Sequence, residues 1–201
     1  MPRPALTDEQ RKATRRLIRR AAAELYAENG SVDISARKIA ERAGVSVGSL
    51  YTYFENLTEL MQSLWKEPVI RLIQELEATQ TSLSSPLDKL QHKMETYVKF
   101  AREEHAVYRG AFLYVRPDSH KKPIQVSLDD DRLFRLFRDS IQEAQEQGLV
   151  RDGDLNALAQ TVWSALHGAV SLPINVDRLA LAKSEVASQQ MVDAMLEWLQ
   201  K

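Results

Sequence analysis

The sequence predicts an all-α protein, and three of its features do so. Apolar residues recur at offsets of three and four through most of the 201 residues. No stretch alternates apolar and polar with period two for long enough to make a strand. The seven glycines and seven prolines collect at the boundaries of periodic segments, where chain direction changes.

Composition bounds the rest. With 44% hydrophobic and 27% charged residues the chain sits in the ordinary globular class, long enough for one domain and a small appendage. The absence of cysteine excludes a disulfide framework, a thiolate metal site and a cysteine nucleophile. The opening MPRPALTDEQ holds no apolar stretch, and no run reaches the ~18 apolar residues of a membrane span, so no membrane partner and a cytoplasmic location are expected. The net charge of −1 is unevenly spread. Residues 1–54 carry 10 Lys+Arg against 6 Asp+Glu, and residues 55–201 carry 17 against 22. A basic N-terminal segment suits a polyanion; the acidic remainder does not.

In chain order, Thr7 and Gln10 form a capping box for a first helix. It carries Leu17, Ile18, Ala21, Ala22, Leu25 and Tyr26 on one face until Gly30 stops it, with Arg11, Lys12, Arg15, Arg16, Arg19 and Arg20 in its first half. Ser35 caps a short second helix with Ile39, Ala40 and Ala43, ended by Gly44 in the left-handed conformation. Ser46 caps a third, with Leu50 and Phe54 pointing inward. Asn56 and Glu59 repeat the capping box for a fourth, which Pro68 should kink or interrupt. Ser85-Pro86 starts a fifth helix with the stripe Leu87, Leu90, Met94, Tyr97, Val98, Ala101. A short apolar helix with Val107, Tyr108, Phe112 and Tyr114 follows, then a polar loop from Arg116 to Ser127. Helices from about Leu128 to Gln147 and from Asp154 to Leu172 end at Gly148 and Pro173, and a last one spans about Lys183–Gln200. The total is about nine helices.

Two short helices joined by Ala43-Gly44-Val45, the second opened by a serine cap, have the shape of a helix-turn-helix, whose second helix sets its N-terminal residues against base edges. The full stretch ISARKIAERAGVSVGSLYTYFENLTEL (34–60) is similar to the signature of the tetracycline-repressor (TetR) family. The residues carrying the match are Ile39, Ala40, Ala43, Gly44, Val45, Ser46, Leu50, Tyr51, Tyr53, Phe54 and Leu60. ETYVKFAREEHAVYRGAFLY (95–114) and TVWSALHGAVSL (161–172) resemble C-terminal regions of some members. The resemblance implies a three-helix DNA-binding domain, drawn here as residues 1–55, on a helical ligand-sensing and dimerisation body, residues 56–201. It implies a homodimer on a palindromic double-stranded operator, repression relieved by a small-molecule effector, and the fourth helix as connector.

It also implies residue roles. Ser46, Val47 and Ser49 lie on the first turn of the recognition helix and face bases, with Thr52 beside them. Tyr51 and Tyr53 match family tyrosines that meet phosphate, with core packing of one of the two as the alternative. Ser35 and Arg37 approach the DNA backbone at the second helix's N-terminus. Two positions depart from the family pattern. Leu57 stands where a phosphate-contacting lysine is common, and Val47 replaces a usual Lys or polar residue and suits a thymine methyl.

In the body, Trp65, Tyr97, Phe100, Tyr108, Phe112 and Trp163 are expected to wall a ligand cavity, with Arg109 and His167 as its polar groups. Ordinary core packing is the alternative for the aromatics, and a structural hydrogen bond for His167. The last two long helices, through Trp163, Leu166, Leu172, Met195 and Leu199, are the expected dimer surface. His92 reads as a surface residue, and Asp129-Asp130-Asp131 as a helix start. Neither metal site nor cofactor is expected, and with no glycine-rich phosphate loop or His-Glu-x-x-His in the sequence, no enzymatic activity is expected either. Two rival readings remain: a helical-bundle small-molecule-binding protein or enzyme with a vestigial helix-turn-helix, and a helical adaptor binding protein through its acidic body.

Overall fold

The computed structural model describes residues 7–29, 34–113, 127–176 and 178–200. Among them are nine helices and no strands: α1 Asp8–Asn29, α2 Ala36–Ala43, α3 Val47–Tyr53, α4 Leu57–Ser82, α5 Pro86–Glu103, α6 His105–Phe112, α7 Arg132–Glu146, α8 Leu155–Asn175 and α9 Ser184–Gln200. The expected ends at Gly30, Tyr114 and most of the Arg116–Ser127 loop lie outside the described residues.

The chain forms two compact units, Met1–Glu67 with Arg109–Lys122, and Pro68–Tyr108 with Pro123–Lys201. In the first unit, Ile18, Ala22, Leu25, Ile39, Leu50, Phe54, Leu60 and Met61 are buried together. These are the i, i+3 and i+4 positions of α1 to α4 that periodicity marks as inward. In the second, Leu90, Met94, Tyr97, Phe137, Ile141, Val162, Leu166, Val170, Val192 and Leu199 make the core of α5, α7, α8 and α9.

The caps form largely as the sequence specifies. Thr7 N–H donates to Gln10 Oε1 at 2.9 Å while Gln10 N–H donates to Thr7 Oγ1 at 3.2 Å, a reciprocal box. Ser85 caps α5 with Pro86 in its first turn, Asp131 Oδ1 accepts from Phe134 N–H at 2.8 Å, and Asp154 Oδ1 accepts from Ala157 N–H at 2.8 Å. At α4 the box is altered. Asn56 Oδ1 accepts from Glu59 N–H at 2.8 Å, but Glu59 Oε2 takes the N–H of Glu55 at 2.6 Å.

Three expectations are corrected. Pro68 does not interrupt α4, which runs on to Ser82. Removing one backbone donor costs ~3 kcal/mol, and burial of Leu60, Met61 and Trp65 before it and Leu72 and Leu76 after it outweighs that. Pro173 likewise lies inside α8, which ends at Asn175. In the last turn the helix has few bonds left to lose. Of the residues expected at a dimer surface, Leu166 and Leu199 are fully buried within the chain itself, whereas Leu172 is 54% exposed.

Candidate functional site

The DNA-reading element is built from its turn. Gly44 adopts φ 68°, ψ 30°, a left-handed conformation that a Cβ would disfavour, and its N–H and that of Val45 close α2 onto the carbonyls of Glu41 and Ala40. The chain then enters α3 through Ser46, extended at φ −76°, ψ 154°, whose hydroxyl accepts from Ser49 N–H at 3.0 Å. Burial of Leu50 and Phe54 fixes which face looks inward. The opposite face presents Ser46, Val47, Tyr51 and Thr52 outward, with Ser49 and Tyr53 half-buried. Val47 is 38% and Tyr51 47% exposed, whereas Tyr53 is half-buried. The Thr52 hydroxyl donates to Ser49 C=O at 2.6 Å.

Ser35 caps α2, its hydroxyl accepting from Lys38 N–H at 3.3 Å, and Arg37 in the first turn is exposed with no ion pair among the described residues. Leu57, the first residue of α4, is half-buried.

Charge counting alone misjudges the arginines of α1. Arg15 Nη1 donates to Tyr53 C=O at 2.6 Å, Nη2 pairs with Glu59 at 3.3 Å, and the guanidinium lies 4.2 Å above the Phe54 ring. Arg19 Nη2 donates to Ser63 C=O at 2.8 Å. Both arginines bind the end of α3 and the start of α4 to α1. Arg42 donates two 2.9 Å bonds to Glu28, and that hydrogen bonding holds the Glu28 carboxyl below its usual range. Spacing along α1 cannot show which arginines turn inward, because their partners lie about forty residues away.

Of the residues expected to line a cavity, the structure brings four together in the second unit. Tyr108 Oη lies 2.7 Å and Tyr97 Oη 3.1 Å from His167 Nδ1, and the hydroxyls are 3.5 Å apart. Trp163 stacks 5.2 Å from the imidazole. Burial pushes the Tyr97 phenol far up and the Tyr108 phenol up to about 12, so both keep their protons. Burial also lowers the His167 pKa, favouring neutral imidazole. A neutral ring has one lone pair or one N–H at Nδ1, so only one hydroxyl can use it fully. Phe100 belongs elsewhere in that unit. It lines a groove of about 220 Å³ with Arg71, Thr96, Lys99 and Glu103. Trp65, Arg109 and Phe112 lie in the first unit, where Trp65 is buried, Phe112 half-buried and Arg109 exposed.

Sequence reasoning missed a buried lysine. Lys93 is 1% exposed and donates to Ser140 Oγ at 2.7 Å and to Gln80 Oε1 and Leu136 C=O at 3.2 Å, while Lys89 pairs with Glu143 at 2.7 Å. Burial lowers the Lys93 pKa, opposed by the charges of Asp139 and Glu143. The signal was available: Lys93 falls three residues after Leu90 and four before Tyr97, on the apolar face.

A glycine-closed turn, a serine-capped second helix with an outward first turn, and a helical body in the same chain together define a DNA-binding regulator of the helix-turn-helix class. Comparison with known proteins narrows this. Residues 18–64 match the bacterial regulatory proteins of the tetR family, and residues 90–198 match the tetracyclin repressor-like C-terminal domain. The chain is 30% identical over 152 residues to the fatty acid metabolism regulator protein of Bacillus subtilis (strain 168), spanning 75% of this chain and 78% of that protein. It is 24% identical over 170 residues to a probable acrEF/envCD operon repressor of Escherichia coli (strain K12), covering 81% of this chain and 76% of that one. In fold it is similar to the transcriptional regulator FadR from Bacillus subtilis in complex with stearoyl-CoA, at TM-score 0.70 and 20% identity over 92% of this chain and 98% of that one. The chain belongs to the tetR family of DNA-binding transcriptional regulators.

Proposed function

We propose that this regulator is a ligand-responsive repressor, working in the cytoplasm as a homodimer on a palindromic operator. Residues 1–55 are the reader and 56–201 the body. The observation that carries this is the recognition helix, which turns Ser46, Val47, Tyr51 and Thr52 to solvent while Leu50 and Phe54 anchor it. Ser46, Val47, Ser49 and Thr52 read bases; Ser35, Arg37, Tyr51 and Tyr53 meet the phosphate backbone. One short helix reads too few base pairs, so pairing supplies two half-sites. Exposed Leu172 on α8 and Val186 on α9, 54% and 49% accessible, support pairing through those helices.

Tyr97, Tyr108, Trp163 and His167 give the body a polar cluster within aromatic walls, the composition of a ligand site. Phe100, Trp65, Arg109 and Phe112 are proposed as further ligand contacts. The relative solved with stearoyl-CoA makes long-chain acyl-CoA the first effector to try. Selection from random duplexes should enrich an inverted repeat with half-site centres about 34–36 Å apart or a multiple of it. Stearoyl-CoA should then release that duplex. A selection that enriched no sequence would remove the proposal.

A further inference from the structure

Within the first unit, three elements each bring one residue to a common place: Tyr26 from α1, Trp65 from α4, and the Arg109-Gly110 pair from α6. Trp65 is 7% exposed and its Nε1 has no hydrogen-bond partner among the described residues. An indole N–H can only donate, and a buried donor left unpaired is costly enough that folded proteins rarely keep one. The indole lies directly against Gly110. A Cβ at that glycine would fall 2.1 Å from Cε2 and 2.6 Å from Nε1, so only hydrogen leaves room for the ring. The N–H edge of Trp65 therefore faces Gly110 on α6; the preceding residue, Arg109, is exposed and has no ion pair among the described residues. Tyr26 meets the indole edge-on, with ring centroids 4.8 Å apart and planes at 62°. Burial raises its phenol pKa, keeping the hydroxyl a donor, and the Arg109 charge acts on it in the opposite sense.

We propose that Trp65, Tyr26 and Arg109 form the head-group subsite of the effector, with a carboxylate or phosphate oxygen accepting from the Trp65 indole N–H. This rests on the ligand-responsive reading and names the chemistry of one end of the ligand. A donor-only indole, a phenol and a guanidinium with no ion pair among the described residues match an anion that can only accept.

The full chain has three indole N–H groups, on Trp65, Trp163 and Trp198, and the Trp65→Phe variant assigns the first in a 15N spectrum. Stearate supplies a carboxylate, coenzyme A supplies phosphates, stearoyl-CoA carries those phosphates on an acyl chain, and octadecan-1-ol is the neutral control. A matching anion should move the Trp65 resonance downfield and slow its exchange with deuterium oxide, and the alcohol should not. Stearate acting alone would identify a carboxylate subsite, and coenzyme A acting alone a phosphate subsite. Trp65→Phe and Arg109→Gln, both checked for an unchanged melting temperature, should each weaken binding about tenfold, the size expected for a charge-assisted hydrogen bond.

If a probe binds and releases operator while the Trp65 resonance stays still and Trp65→Phe binds equally well, the subsite is wrong and ligand sensing stands. If the resonance moves and operator is not released, the subsite stands and the repressor reading fails. If no probe moves the resonance, the proposal falls.

Discussion

Replacing Gly110 with alanine tests the approach of the Trp65 ring to that glycine. The new methyl would meet Trp65 Cε2, Cζ2 and Nε1 at 2.1, 2.3 and 2.6 Å, more than an ångström inside ordinary contact. The indole cannot simply swing aside, because it is buried and held edge-on by Tyr26 at 4.8 Å. Forcing a methyl into a packed core typically costs about 1–3 kcal/mol. Alanine inside a helix offsets about 0.5–1 kcal/mol of that by restricting the unfolded chain. The net loss should be about 1–2 kcal/mol, or roughly 2–8 °C in melting temperature for a chain of this length. Thermal melts of Gly110→Ala, Trp65→Leu and the double variant separate the terms. Once the indole is gone the methyl has room, so the alanine should cost nothing, or stabilise slightly, in the Trp65→Leu background. An equal cost in both backgrounds would show that the glycine serves backbone conformation and not the ring.

Other substitutions probe the remaining sites. Leu57→Lys should strengthen binding to matched and unmatched duplexes alike and steepen the salt dependence by about one phosphate contact; a change of sequence preference instead would misplace that residue. Tyr51→Phe, at an exposed position, should leave stability within ~0.5 kcal/mol of the parent while weakening operator binding, as read by fluorescence anisotropy. Burial holds the His167 pKa below the 6.5 of the unfolded chain, so the unfolded state takes up the proton first. Stability from this residue is full above pH 6.5 and is lost as pH falls toward the folded pKa; a His167→Gln variant with the same melting profile between pH 8 and 5 would refute that. Lys93→Met should destabilise by about 1–3 kcal/mol, because the fully buried Ser140 hydroxyl loses its donor while no new partner replaces it. Lys93→Ala, which leaves a cavity, should be clearly less stable in urea melts.

Local chemistry was the readable part of this chain. The Thr7–Gln10 box, the caps at Ser35, Ser46 and Ser85, and the left-handed Gly44 depend on residues three or four positions apart, which sequence displays directly. The inward and outward faces of α3 followed from periodicity at Leu50 and Phe54. What sequence hid depends on distant neighbours. Pro68 and Pro173 read as breaks because local propensity says so, while burial on either side of Pro68 decides otherwise. Leu166 and Leu199 read as an interface because an apolar stripe looks the same whether a partner chain or the same chain covers it. Arg15 and Arg19 read as charges of a basic segment, since nothing local reveals a carbonyl waiting on another helix.

The grip of Arg15 limits how the reader could be transplanted. One planar side chain holds the last carbonyl of α3, the carboxylate of Glu59 and the face of Phe54, and Arg19 fastens the next turn of α4 at Ser63. A chimera cut at residue 55 would keep both arginines and discard the Glu59 and Ser63 partners, so Arg15 would still hold Tyr53 and Phe54 while both ties from α1 to α4 were lost. A graft into another member of the family should therefore be cut beyond Ser63, or supply an acid and a carbonyl at the same places. Lysine at position 15 would not substitute, because a point charge cannot span a carbonyl, a carboxylate and a ring at once.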